Sequence, residues 1–340
     1  MTGTGAQDNP YIVETWDEFV TAIGESGAYS EFPLIKRPTE DTTVQRGKLY
    51  YDAQGNLIEH PTAAGLTSYY ENGFEIDLND VYPEGVPDAS SSSPSAAVVV
   101  RGKFNGRGGT IRNLYSNALK YCFDYISAAN WVPEIINTDI LNLYFIGIDS
   151  GSAIIHTPST NETCLLRSDR ISGVFYNSAF YSYAGRGVMF ERCAVSMHVN
   201  ARSFYLFLGP SLSTAGQIFK NSIFDISGAF NGISGDANDT GFQIGASNSL
   251  ITGHWNIPHA QYEVINQFQS SVIDVECTAA ITIQFNSISV PSVINTDKMP
   301  NVSFIAGSTG VLDNLIQANN SQISNAGWLL DHGFPVGRMS

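Results

Sequence analysis

No stretch of about 18 consecutive apolar residues occurs, so no transmembrane helix is expected. Positive charge is scarce: 17 Lys and Arg stand against 32 Asp and Glu, a net charge of −15. Binding a phosphate backbone or an anionic membrane needs clustered cations, so neither nucleic acid nor a membrane surface is expected as a partner. The four cysteines, Cys122, Cys164, Cys193 and Cys277, never fall in C-x-x-C spacing, which argues against a zinc or redox site and for small buried thiols. The signatures G-x-S-x-G, H-E-x-x-H and the P-loop are absent. Asp236–Gly241 copies the start of a calcium loop, but Ser247 stands where that loop needs its twelfth-position Glu. No cofactor and no metal are therefore expected. The opening residues, MTGTGAQDNP, lack the basic and apolar regions of a secretory signal. That predicts a protein made in the cytoplasm that stays there or leaves by lysis or assembly.

What the chain does have is 43% hydrophobic and 11% aromatic residues with only 14% charged ones. Polarity must then come from Ser, Thr, Asn and Gly, which suit stacked strands and tight turns better than solvated helices. The stretch Lys103–Asn117, KFNGRGGTIRNLYSN, is the most informative. It follows the strand-like run Ala97–Arg101, places Gly106, Gly108 and Gly109 in a sharp corner, and continues into a second strand, Thr110–Tyr115. Strand, glycine corner and short strand make up one coil of a parallel β-solenoid. The pattern through Phe104, Gly106, Gly108, Ile111, Asn113 and Leu114 resembles the opening coils of pectin-lyase-like right-handed β-helices, with the threonine one place off the commonest form. The resemblance implies architecture rather than activity.

The expected fold is thus all-β: a right-handed parallel β-helix over 97–325, preceded by a capping helix and an irregular region over 1–96, and closed by a cap or tail over 326–340. The helix is read from Trp16, Phe19, Val20 and Ile23, one apolar face, with Thr15 and Glu18 spaced as a capping box and Gly24 at its end. The segment containing it, Asn9–Phe19, resembles bacteriophage β-helix proteins of gut Firmicutes. Between 28 and 96, a hairpin is expected around Ala53–Asn56 and a half-exposed strand over Gly73–Leu78, with ASSSSPSA as a linker. Beyond it, a pair such as Asn-Ser recurs at Asn177, Arg192, Asn221, Asn248 and Ser270 at spacings that mostly suit one coil, the first interval being too short for a full turn. In this register Cys193, Val195, Met197 and Val199 point inward, as do Ser222, Phe224 and Ile226, and Ser271, Ile273, Val275 and Cys277. The tail, with Trp328, Leu329, Leu330 and Phe334, reads as a cover for the last coil or as a protein contact.

The same register sends Asp225, Thr252 and Asp274 outward in one column, and His198, Ser227, His254 and Glu276 outward in the next. Asp225 and Asp274, two coils apart, would stand about 9.6 Å from each other. That is near the ~6.5–9.5 Å separation used by inverting glycosidases. Glu276 beside His254 supplies groups for acid–base work. An enzyme reading, a glycan depolymerase, would use Asp225, Asp274 and Glu276 for catalysis, with Tyr181, Tyr183 and Trp255 stacking on sugar rings. A carbohydrate-binding adhesin would use the same surface without cleavage. Against both stands the ordinary solvated face of an acidic chain. No basic cluster of the kind a pectate lyase needs accompanies the carboxylates. The leading expectation is a non-enzymatic virion protein of a bacteriophage, a surface-displayed homotrimer that contacts head or tail proteins and in some settings a host surface glycan.

Overall fold

The computed structural model describes residues 1–79, 96–128, 130–149, 151–157, 164–183, 188–208, 219–235, 243–257, 262–288, 290–307, 312–325, 329–331 and 334–336. The fold is all-β, built on two long sheets of 11 and 15 strands in the manner of a parallel solenoid. Every strand pairing within these two sheets is parallel and joins one coil to the next. One complete coil runs through Glu134–Ile136, Asp139–Gly147 and Ala153–Thr157, one strand on each of three faces. The next repeats it with Cys164–Arg167, Arg170–Tyr176 and Ala179–Tyr183. Further along, the second and third faces fuse into single bent strands, Ala194–Leu208 and Ile223–Gly235, whose pairing shifts register between Ala201 and Tyr205.

Burial explains the stacking. One interior column runs Ile76, Ile111, Ile140, Ile171, Val195, Phe224, Ile251, Ile273 and Ile294, each the register partner of the next. All nine are buried. β-branched side chains suit such a column because they pack well on a pleated surface. The other sheet contributes Phe104, Ile135, Leu166, Phe190, Phe219, Ala246 and Phe268 in the same way. The inward register expected for Cys193 to Val199, Ser222 to Ile226 and Ser271 to Cys277 is the one observed.

The recurring pair is a corner. Asn137, Ser168, Arg192, Asn221, Asn248 and Ser270 all adopt φ between 46° and 60°. This left-handed conformation is most accessible to Asn among residues with a Cβ. The residue after each corner turns inward: Thr138, Asp169, Cys193, Ser222, Ser249 and Ser271 are all buried. From Cys193 onward these positions are linked along the stack. The amide of Cys193 donates to Ser222 Oγ (3.1 Å), that of Ser222 to Ser249 Oγ (3.0 Å), that of Ser249 to Ser271 Oγ (3.1 Å), and that of Ser271 to Ser292 Oγ (3.3 Å). Each hydroxyl in turn donates to the carbonyl two residues before it, as Ser249 does to Ser247 at 2.8 Å. The run therefore continues through Ser292. Asn177-Ser178 belongs to a different corner, the one leading into Ala179–Tyr183, which accounts for its short interval to Arg192.

Other expectations need correction. The strand expected over Thr110–Tyr115 is broken at Asn113 (φ 60°), so Thr110–Arg112 and Tyr115–Leu119 are separate. Parallel pairing also begins well before residue 97: Tyr11–Ile12 and Tyr29–Glu31 join the 11-stranded sheet, and Glu75–Asp77 joins the other. It continues to Leu315–Ala318. The helix Trp16–Gly24 forms, and Thr15 Oγ1 accepts from the Glu18 amide (3.3 Å). Glu18, however, reaches back to the amide of Glu14 (2.9 Å) rather than to that of Thr15. Its buried face is Trp16, Phe19, Ala22 and Ile23, with Val20 only partly covered. Around Ala53–Asn56 the Asp52 carboxylate accepts from the amides of Gln54 and Asn56, and Tyr51 bridges Leu57 antiparallel, as a hairpin turn requires. At the C-terminal end a short helix, Asn320–Asn325, precedes a two-stranded antiparallel ribbon of Leu329–Asp331 and Phe334–Val336. Trp328 and the calcium-like stretch 236–241 lie outside the described residues.

Candidate functional site

The outward columns form in the expected register. Asp225 pairs with Thr252 and Thr252 with Asp274. His198 pairs with Ser227, and His254 with Glu276. The His254 amide donates to Ser227 Oγ at 3.0 Å, which places those two side by side.

Their chemistry is more constrained than the sequence implied. The Asp274 carboxylate accepts from Lys298 Nζ (2.8 Å) and from Asn295 Nδ2 (2.7 Å). Asp225 is half-buried, and that desolvation raises its pKa above the ordinary carboxylate value, against the lowering effect of the Ser196 hydroxyl. So the two carboxylates do differ in environment, as an acid–base pair would. Yet side chains in one column of a parallel sheet point the same way rather than toward each other. Thr252 occupies the position between them and donates to the Asp274 carbonyl (3.1 Å). Glu276 meets His254 Nδ1 at 3.2 Å with both side chains about 60% exposed, a contact of little weight in water. The two carboxyls are thus rungs of one outward column with Thr252 between them, a polar ladder along the sheet.

The aromatic platform expected beside it is not available. Trp255 is buried, its Nε1 donating to the Ile226 carbonyl at 3.1 Å. Tyr181 is also fully buried, its hydroxyl 3.1 Å from Thr157 Oγ1. Trp255 lies between the outward His254 and the chain beyond it, on the inward phase of its strand that the outward Thr252 and His254 already imply. The Tyr183 side chain lies outside the described residues.

The third face carries a constellation that was not singled out in the sequence. Asp124, His156 and Ser182 stand in register on three successive coils. His156 Nδ1 lies 2.8 Å from the buried Asp124 Oδ1. The Tyr121 ring stacks flat on the imidazole, centroids 3.8 Å apart. Asp, His and Ser in this order suit acyl transfer. Among the described residues, however, no hydrogen bond joins His156 to Ser182, and the stacked tyrosine covers one face of the base. The Asp124–His156 contact pairs two polar groups on a face whose neighbouring side chains, Ala96, Val99, Tyr121, Ala153 and Ala179, form a buried apolar cluster. Only the pairing of the third face reveals this trio, since its members are about one coil apart in sequence and have no local motif.

Among the described residues no group of His, Cys, Asp and Glu is arranged to hold a metal ion. No family model matches the chain, and neither does any curated protein or solved structure.

Proposed function

We propose that this chain is a non-enzymatic structural protein of a bacteriophage particle, displayed on the virion surface as a homotrimer and anchored to head or tail proteins. In this reading the solenoid is a right-handed β-helix, and the Trp16–Gly24 helix is its N-terminal cap. The observation that carries the proposal is the run of in-register parallel pairing from Tyr11 to Ala318 around buried side-chain columns. In such a rod every internal strand is hydrogen-bonded on both sides, which leaves few openings for proteases and resists shear. The capping role is supported by Phe19, whose ring meets Phe104 edge-on at 4.9 Å and lies 6.4 Å from Phe32. The amides of Arg101 and Gly102 donate to the Ile23 carbonyl at 2.8 and 2.7 Å, tying the helix end to the stack. The parallel, partly paired carboxylates of the outward column favour this role over glycan cleavage.

Mass spectrometry of purified particles tests the reading, with the protein expected at stoichiometric abundance and a trimer expected by analytical ultracentrifugation. Absence from the particles would remove the proposal. Depolymerisation of a host surface glycan by the purified protein would replace it with the enzyme reading, and retention on that glycan without cleavage with the adhesin.

A further inference from the structure

A second feature lies away from the outward column, where the segment 44–61 folds against the corner column of the stack. It encloses a cleft of about 430 Å³ whose far wall includes Asn137, Arg167, Ser168 and Arg192. That volume is within the range of about 300–1,000 Å³ typical of small-molecule sites. The segment is fixed in place from several directions. Arg170 Nη1 donates to Gln45 Oε1 (3.2 Å), and the Tyr51 hydroxyl donates to the Arg107 carbonyl (2.7 Å). Gly47, at φ +74°, comes so close that a Cβ there would lie 2.9 Å from the Asp169 carbonyl oxygen.

The charge in this cleft runs against that of the chain. Arg46, Lys48, Arg167 and Arg192 line it together with a single carboxylate, Glu59. Lys48 is already committed to Asp41 (2.7 Å) and to Glu71. Arg167 and Arg192 are exposed and form no ion pair among the described residues, whereas Lys103, Arg107, Arg170 and Lys220 of the same stack are all paired with carboxylates. Arg192 also occupies a left-handed corner (φ 60°) in a column that otherwise uses Asn and Ser. An arginine gains nothing from that backbone conformation, so its presence is explained by what its guanidinium does beyond the corner. Beside the cations the cleft has an apolar side formed by Leu49, Leu57 and Ile58, and Leu57 is 49% exposed, as an unfilled contact surface would be.

We propose that this cleft binds a small organic oxyanion, a phosphate or carboxylate on a compact apolar body, with Arg167 and Arg192 gripping the anion and Leu49, Leu57 and Ile58 receiving the body. Guanidinium groups match both oxyanions because their planar N–H forks donate two parallel hydrogen bonds.

Isothermal titration of the full chain with phenyl phosphate, benzoate and benzyl alcohol tests the proposal. At least one of the two anions is expected to bind saturably at one site, the neutral alcohol is not, and which anion binds more tightly identifies the natural group as phosphate or carboxylate. The double variant Arg167→Gln/Arg192→Gln, made at two exposed side chains, should keep the wild-type melting temperature and weaken anion binding by roughly tenfold or more. The proposal is overturned if neither anion binds up to about 10 mM. It is equally overturned if benzyl alcohol binds as well as they do, or if the double variant binds undiminished. Should the double variant lose its fold, Arg192→Lys provides the second measurement: charge retained without the fork should weaken binding while leaving stability intact, and unchanged affinity would count against the proposal.

Discussion

Removing a single oxygen from the corner ladder provides a sharp test of how the coils are held. Ser249 Oγ accepts from the Ser222 amide (3.0 Å) and donates to the Ser247 carbonyl (2.8 Å), and both serines are buried. In Ser249→Ala the Ser222 amide loses its side-chain acceptor. It sits at a left-handed corner where the sheet offers no replacement carbonyl, and burial keeps water away. A buried donor left unsatisfied costs about 1–3 kcal/mol. The lost methylene contacts are nil, since Ala keeps the Cβ. Ser249→Ala should therefore destabilise by about 1–3 kcal/mol, well beyond the ~0.5 kcal/mol typical of surface changes. Ser249→Cys should recover part of that loss, because Cys193 already occupies the equivalent position two turns of the column earlier. The assay is denaturant unfolding followed by far-UV circular dichroism, with Ser196→Ala on the exposed face as control. Since a solenoid can unfold in segments, the comparison is made on the first transition that removes the 250–256 region, followed by hydrogen exchange. A Ser249→Ala variant indistinguishable from the control would refute the ladder as a stabilising device.

Two further outcomes follow from the same column and from the N-terminal helix. Asp169 is fully buried, accepts from the Thr138 amide at one oxygen (2.6 Å), and has no partner at the other, so desolvation raises its pKa well above the ordinary carboxylate value. The folded state then keeps a proton that the unfolded chain releases above a pH of about 3.9, and stability declines by up to about 1.4 kcal/mol per pH unit from there until the folded group itself titrates. Asp169→Asn, whose Nδ2 can donate to the Arg167 carbonyl as the serine hydroxyls do to theirs, should be more stable than wild type at pH 8, with the gap closing below pH 4; melting curves with the same gap at every pH would contradict this. Trp16→Ala should cost about 3–5 kcal/mol, because the indole is buried against the stack; a Trp16 emission spectrum typical of full water exposure, read in a variant keeping only that tryptophan, would count against the packing.

The interior of this fold was largely legible in the sequence, and the surface was not, for a physical reason. Period-2 alternation and the repeated Asn-Ser pair report on burial and on the left-handed corner, and both depend only on local chemistry. From them the inward positions of Val195, Phe224 and Ile273 follow, as does the alignment of Asp225, Thr252 and Asp274. The glycine corner near residue 106 was legible too: a Cβ on Gly106 would lie 2.5 Å from Thr138 Oγ1 of the following coil. What did not follow was anything set by a neighbouring coil. Lys298 meets Asp274 from 24 residues away, and Tyr121, a coil earlier in the chain, stacks on His156.

The same limit governs where chemistry can reside on such a rod. Stacking copies of one corner fixes side chains in parallel columns about 4.8 Å apart, which suits ladders of like groups and disfavours groups that must converge on one atom. Convergence needs a segment that leaves the stack and returns. The 44–61 segment does this, and it brings Arg46 of its own chain stretch to the wall that carries Arg167 and Arg192. The outward carboxylates attract attention because they are aligned, but alignment is what every coil provides. An irregular segment closing over unpaired cations is the rarer event, and it is there, rather than on the ordered face, that a ligand finds groups approaching from more than one direction.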